Sequence, residues 1–152
     1  MTVEECKLDT IAHIETVRKY IKIFTDRLTN RGVEHDRQKL ESPEVEIFAE
    51  CKSKLANLTY GSDEYNASLK ELDTALSHHY ANCRHHPEHF AKGVNDMSLI
   101  DIAEMLCDWK ASSLRQHDGN LLKSIESNAQ RFGIDDQLKQ ILINTAKLFD
   151  EQ

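Results

Sequence analysis

The chain is short of the residues that break regular structure. Among 152 residues there are 5 glycines and 2 prolines. Turns are therefore few, and helices are the expected element. Aromatic residues make up 7%. No apolar run approaches the ~20 residues that a membrane-spanning helix needs. The N-terminal stretch Met1-Thr2-Val3-Glu4-Glu5-Cys6 is acidic and has no apolar signal region. A cytoplasmic protein without a membrane partner is expected. No basic stripe is visible and the net charge is -7, which speaks against a duplex nucleic acid partner. The four cysteines are widely spaced, with no CxxC pair. They read as reduced thiols, with Cys51 and Cys107 in the core, and a thiolate zinc site is disfavoured.

What is present is helical periodicity. Ile11, Ile14, Val17, Tyr20, Ile21, Phe24 and Leu28 recur at three and four, predicting a long amphipathic helix from Leu8 to Leu28. Asn30-Arg31-Gly32 should end it, with Gly32 in a left-handed cap. Ser42-Pro43-Glu44 predicts a second start, with Ser42 at the cap, Pro43 at the first helical position and acids in the first turn. That helix runs to about Leu58, and Tyr60-Gly61-Ser62 breaks it. A third runs from Ser62-Asp63 through Leu72 and Leu76. A fourth opens at Ser98 with Asp101 as capping acid, and carries Leu99, Ile102, Leu106 and Trp109 on one face. Gly119 and Gly133 bracket a fifth helix, and Asp135 opens a sixth through Leu138, Ile141, Leu142 and Leu148. No period-two alternation is sustained. One all-α domain of about six helices over residues 1–152 is expected, and either the first or the last helix offers a face for a homodimer.

Chemistry concentrates at His78-His79-Tyr80-Ala81-Asn82-Cys83-Arg84-His85-His86-Pro87-Glu88-His89. Five of the eight histidines fall in these twelve residues, where random scatter would place fewer than one. Histidine is the commonest metal ligand. The plain alternatives are a histidine-rich turn or a helix end whose dipole favours imidazolium. His79 is seven residues from His86, but Asn82 and Pro87 argue against a continuous helix joining them. Outside the cluster, His13 borders the inward stripe of the first helix, where a satisfied boundary histidine is the ordinary case. His35-Asp36 is followed by Lys39. Asp101, Glu104 and Asp108 share a helical face. Asp101 has a full explanation as a cap, whereas Glu104 and Asp108 sit in mid-helix beside apolar neighbours, where a bare carboxylate is costly.

The order His13…His35-Asp36…Asp108 resembles the H…HD…D signature of the HD superfamily of metal-dependent phosphohydrolases. His35-Asp36-Arg37-Gln38-Lys39 is similar to that family's HD-x-x-K element. The combination of His35-Asp36, His85-His86-Pro87-Glu88 and Glu104-Met105-Leu106-Cys107-Asp108-Trp109-Lys110 more closely resembles an uncharacterised family of short phage and bacterial proteins. The resemblance covers roughly residues 10 to 115 and implies a helical bundle holding a divalent ion (Mn, Fe, Zn, Co or Mg). It places the first metal on His13, His35, Asp36 and Asp108. A second metal would use His79 and His86, with His78, His85 and His89 as rivals. Lys39 stands where small nucleotidases of the superfamily often carry an acid, so the general acid falls to Glu104 or Glu88. Lys39, Arg84 and Arg115 are the cations available for a substrate phosphate, although each is also an ordinary surface charge. The implied activity is hydrolysis of a nucleotide or small phosphoester in the cytoplasm, the host's if phage-encoded. The alternative is a non-catalytic phage-type protein whose degenerate pocket sequesters a nucleotide or a host protein. A purely structural helical protein is the third reading.

Overall fold

The computed structural model describes residues 1–56, 63–115 and 119–149. Among them there are six α-helices and no strand: α1 (Val3–Glu34), α2 (Glu44–Ala56), α3 (Asp63–Asn82), α4 (Leu99–Ser113), α5 (Leu121–Phe132) and α6 (Asp136–Ala146), with short 3₁₀ turns between them. The all-α expectation holds. No helix among the described residues is long and apolar enough to cross a membrane. The chain separates into two compact units, Met1–Glu34 and His35–Gln152.

The first unit is α1 alone. It extends past the expected stop: Gly32 is helical, and the left-handed residue comes four positions later, at Asp36, with φ 55°. A glycine inside a helix costs only about 1 kcal/mol, and the long helix running from Val3 carries the chain through it. None of α1's residues is buried.

The second unit has two parts. In one, α2 packs along α3, with Cys51 and Ser68 buried. Helix α2 begins at Glu44, one residue later than expected, after a cis Ser42–Pro43 bond. The break expected at Tyr60–Ser62 lies outside the described residues. In the other part, α4, α5 and α6 pack in sequence around Met105, Leu106, Trp109, Ile125, Leu142 and Ala146. Trp109 stacks on Phe132, with rings 6.5 Å apart and nearly parallel. The predicted starts of these helices are in place. Ser98 and Asp101 form a full capping box, Asn120 caps α5, Gly133 closes it at φ 63°, and Asp135 caps α6. The buried face of α4 is rotated from the expected one: Leu99 is exposed, and Asp101, Glu104 and Met105 are inside. Cys107 is consequently exposed rather than in the core. The expected last-helix face keeps Leu142 inside, while Ile141 and Leu148 are exposed.

Candidate metal centre

Four segments of the second unit converge. His35 and Asp36 leave α1's end, and the left-handed turn at Asp36 feeds a 3₁₀ turn over Arg37–Leu40. His79 lies in the last turn of α3. His85 and His86 follow in the reversal before Pro87, which opens another 3₁₀ turn. Glu104 and Asp108, one helical turn apart, face in from α4.

The histidine cluster divides. His79 is fully buried, and its Nε2 lies 3.1 Å from Nε2 of His86. The helix does not continue between them. It ends at Asn82, and the chain folds back to bring the two rings together. Nε2 of His79 is 3.2 Å from Oδ1 of Asp36, and Nε2 of His85 is 3.4 Å from the same oxygen. These approaches lack hydrogen-bond geometry: Oδ1 of Asp36 and Nε2 of His85 are buried polar atoms without a hydrogen-bond partner. Such atoms are costly unless something satisfies them. Two ligand atoms each about 2.1 Å from one ion stand roughly 3.0 Å apart at a right angle and 3.4 Å apart at a tetrahedral angle. The observed separations match those of co-ligands.

The far ring nitrogens are fixed by carboxylates. Nδ1 of His79 donates to Oε2 of Glu44 at 3.2 Å, and Nδ1 of His78 to Oε1 of the same group at 2.7 Å. Nδ1 of His35 and of His85 lie 2.9 and 3.1 Å from Oε1 of Glu104. A carboxylate accepts, so each of these Nδ1 atoms carries a proton, and in the neutral ring Nε2 is the atom left to offer a lone pair.

Two ligand groups follow, sharing Asp36: Asp36, His79, His85 and His86 on one side, and His35, Asp36 and Asp108 on the other. Nε2 of His35 is 3.7 Å from both Oδ2 of Asp36 and Oδ1 of Asp108. A third grouping, His35, His85 and Glu104, also has atoms close enough to share an ion. It would use Nδ1 on both rings and strand their Nε2 atoms, so Glu104 is better described as an outer partner. Lys39 donates to Oδ2 of Asp36 at 2.7 Å, and its ammonium lies over the Phe48 ring. His79 and His85 form a buried wall, and the His35, Asp36, Asp108 side is a quarter exposed.

The electrostatics are those of a site short of positive charge. Burial alone would raise Asp36, but the nearby His79 and His85 rings and the hydrogen bond from Lys39 outweigh it and hold the carboxyl well below its ordinary value. Burial likewise opposes the lowering of Asp108 by His35. Asp108 and then Glu104 push His35 up to about 10. His85 rises against its burial, through Asp36 and Glu104. His86 is pushed down to about 3 by burial and then by His85 and His79. Burial, then Asp36 and Glu44, push the Cys83 thiol up to about 12.

Of the residues expected from sequence, His35, Asp36, His79, His86, Asp108, Glu104 and Lys39 come together. His85, expected only as a rival, is a member, and Glu44, read as a first-turn acid, is an outer partner. His13 lies exposed on α1 and belongs to none of the ligand groups among the described residues. Glu88 instead accepts from Arg131 at 2.8 Å. Arg84 makes two bonds to Asp101, at 3.2 and 3.1 Å, and lies over Phe90. Arg115 is exposed in the turn after α4. His89 donates to the Tyr80 carbonyl, and His78 is half exposed.

These features define a helical protein with histidine and carboxylate groups that can hold a metal ion. The chain belongs to DUF5662, a family of unknown function whose model matches residues 2–148. No curated protein and no solved structure matches it.

Proposed function

We propose that the protein is a divalent-metal-dependent phosphohydrolase acting on a nucleotide or small phosphoester, as the resemblance to HD proteins implies. The observation that carries the metal reading is the pair of buried, unsatisfied atoms, Oδ1 of Asp36 and Nε2 of His85, facing the Nε2 atoms of His79 and His86. His79, His85, His86 and Asp36 would hold one ion, and His35, Asp36 and Asp108 a second position. A bound divalent ion supplies Lewis acidity toward a phosphoryl oxygen and lowers the pKa of a water. Mixed imidazole and carboxylate donors suit Mn, Fe, Co or Zn better than Mg.

The chain's own residues supply the rest. The partly exposed edge at His35, Asp36 and Asp108 is where a phosphate enters. Asp108 accepts a proton from, and orients, a water at that edge. Lys39, a third exposed beside Asp36, offers a point charge to a phosphate oxygen. Glu104 aims two imidazoles and is not free to act as the general acid, because its Oε1 is engaged by both rings. Glu88 is drawn off by Arg131, and Arg84 by Asp101. Of the three cations, Lys39 is the one bonded to a member of the ligand groups, so phosphate binding is assigned to it.

The test is elemental analysis of the purified protein, followed by phosphate-release assays with Mn or Co across a nucleotide panel. Bound metal and turnover lost in Asp108→Ala are expected. Absence of both metal and turnover overturns the reading. Metal without turnover would favour the non-catalytic sequestering protein.

A further inference from the structure

The long first helix carries an apolar seam that nothing in its own unit covers. Ile14, Val17, Ile21, Phe24 and Leu28 follow one another at three, four, three and four residues. That is a strict seven-residue repeat, with Ile14, Ile21 and Leu28 at one heptad position and Val17 and Phe24 at the other. A period of 3.5 is the mark of a helix that pairs with another helix. Ile14 is 44% and Ile21 57% exposed, and Ile11 and Tyr20 widen the exposed seam. A lone helix of 32 residues, about 48 Å long, gains little stability in water without a packed face.

Charge along the same helix selects the occupant. Residues 1–16 hold Glu4, Glu5, Asp9 and Glu15 against Lys7, and residues 17–34 hold Arg18, Lys19, Lys22, Arg27 and Arg31 against Asp26 and Glu34. The N-terminal half is net -3 and the C-terminal half net +3. A second copy lying parallel would set acid on acid and base on base. Lying antiparallel, it sets each acidic half on a basic one. We propose that α1 pairs with α1 of a second copy in an antiparallel two-helix coiled coil. In the central register Ile14 packs against the other copy's Phe24, and Val17 against the other copy's Ile21. Burial of the seam supplies the affinity. The exposed charges, individually weak because water screens them, choose the orientation. This pairing is independent of the metal centre.

The experiment uses the full chain. Sedimentation equilibrium should give twice the chain mass, and Ile21→Glu should weaken the dimer about 100-fold or more, since it buries a charge in the seam. Circular dichroism and metal content of Ile21→Glu report whether the second unit remains folded. Orientation is read by spin-label distance. Labels on Cys6 in the full chain carrying Cys107→Ser, with Cys51 and Cys83 buried, should lie about 40 Å apart, because Cys6 then stands opposite residue 32 of the other copy. A monomer at every concentration, or a dimer that survives Ile21→Glu, overturns the pairing. A label separation near one helix diameter, about 10–12 Å, overturns the antiparallel arrangement.

Discussion

Nε2 of His79 and Oδ1 of Asp36 approach to 3.2 Å without forming a hydrogen bond. His79 already directs its Nδ1 proton to Glu44, so its Nε2 presents a lone pair to an anionic oxygen. Two electron-rich atoms held together in a buried place call for a cation between them. Asp36→Asn keeps the shape and removes the anion. Titration with Mn or Co should show binding weakened by at least the 10–100-fold that outer partners alone cost. Unchanged affinity would remove Asp36 from the site.

Glu44 should matter although it touches no ion. It is 1% exposed and joins His78 and His79. Glu44→Gln can still accept on one side, but it no longer fixes the His79 ring with an anion. Metal affinity is expected to fall about 10–100-fold, with the helical circular-dichroism signal retained. A variant with wild-type affinity would make Glu44 a helix-start acid and nothing more.

Metal binding should strengthen with pH. In the metal-free protein His35 is pushed up to about 10, so it is protonated at neutral pH. It must lose that proton to ligate. Affinity should rise up to tenfold per pH unit between pH 6.5 and 10, with proton release measurable by calorimetry in two buffers of different ionisation heat. Stability of the metal-free protein follows the signs of the shifts. His35's contribution is complete below its ordinary 6.5 and is lost as pH rises through 10. His86, pushed down to about 3, contributes fully above 6.5 and loses that as pH falls through 3. Thermal melts of metal-free protein should peak between these limits. A melting temperature that is flat from pH 3 to 10 would contradict both shifts.

Asp101 ties the reversal between Asn82 and Pro87 to α4. It accepts from Ser98 and from Arg84 and is itself buried. Asp101→Ala removes a capping box and strands Arg84, so a loss of about 1–3 kcal/mol is expected from denaturant melts. Burial opposes, but the Arg84 and Ser98 bonds hold its carboxyl below the ordinary range. Its stabilisation is therefore full above that range and declines as pH falls below it. Ile125→Ala, at a fully buried core position, should cost more, about 2–5 kcal/mol.

Local signals in the sequence carried far. Capping at Ser98, Asp135 and Gly133 was legible because each device acts within four residues. The His35-Asp36 pair, Asp108 and the histidine cluster were legible as unusual residue types in unusual places. What was hidden depends on backbone direction. Gly32 advertised a turn that Asp36 makes instead. His85 joins His79 only because the chain reverses after Asn82, which no periodicity encodes. Glu44 and Glu104 looked like a first-turn acid and a general acid, and their carboxylates instead aim imidazoles across 35 and 69 residues of sequence. The stripe on α1 reads as an inward face or as a face for a second copy, since a period reports that a stripe exists and not what lies against it.

The reversal between Asn82 and Pro87 has an evolutionary consequence. Surface connections are ordinarily where chains gain and lose residues freely. Here two consecutive ring nitrogens must arrive opposite the end of the helix they have just left. One residue inserted or deleted in that connection would leave every helix intact and turn both imidazoles away from Asp36. Among relatives, this short connection should be constant in length, while the spans on either side of it vary.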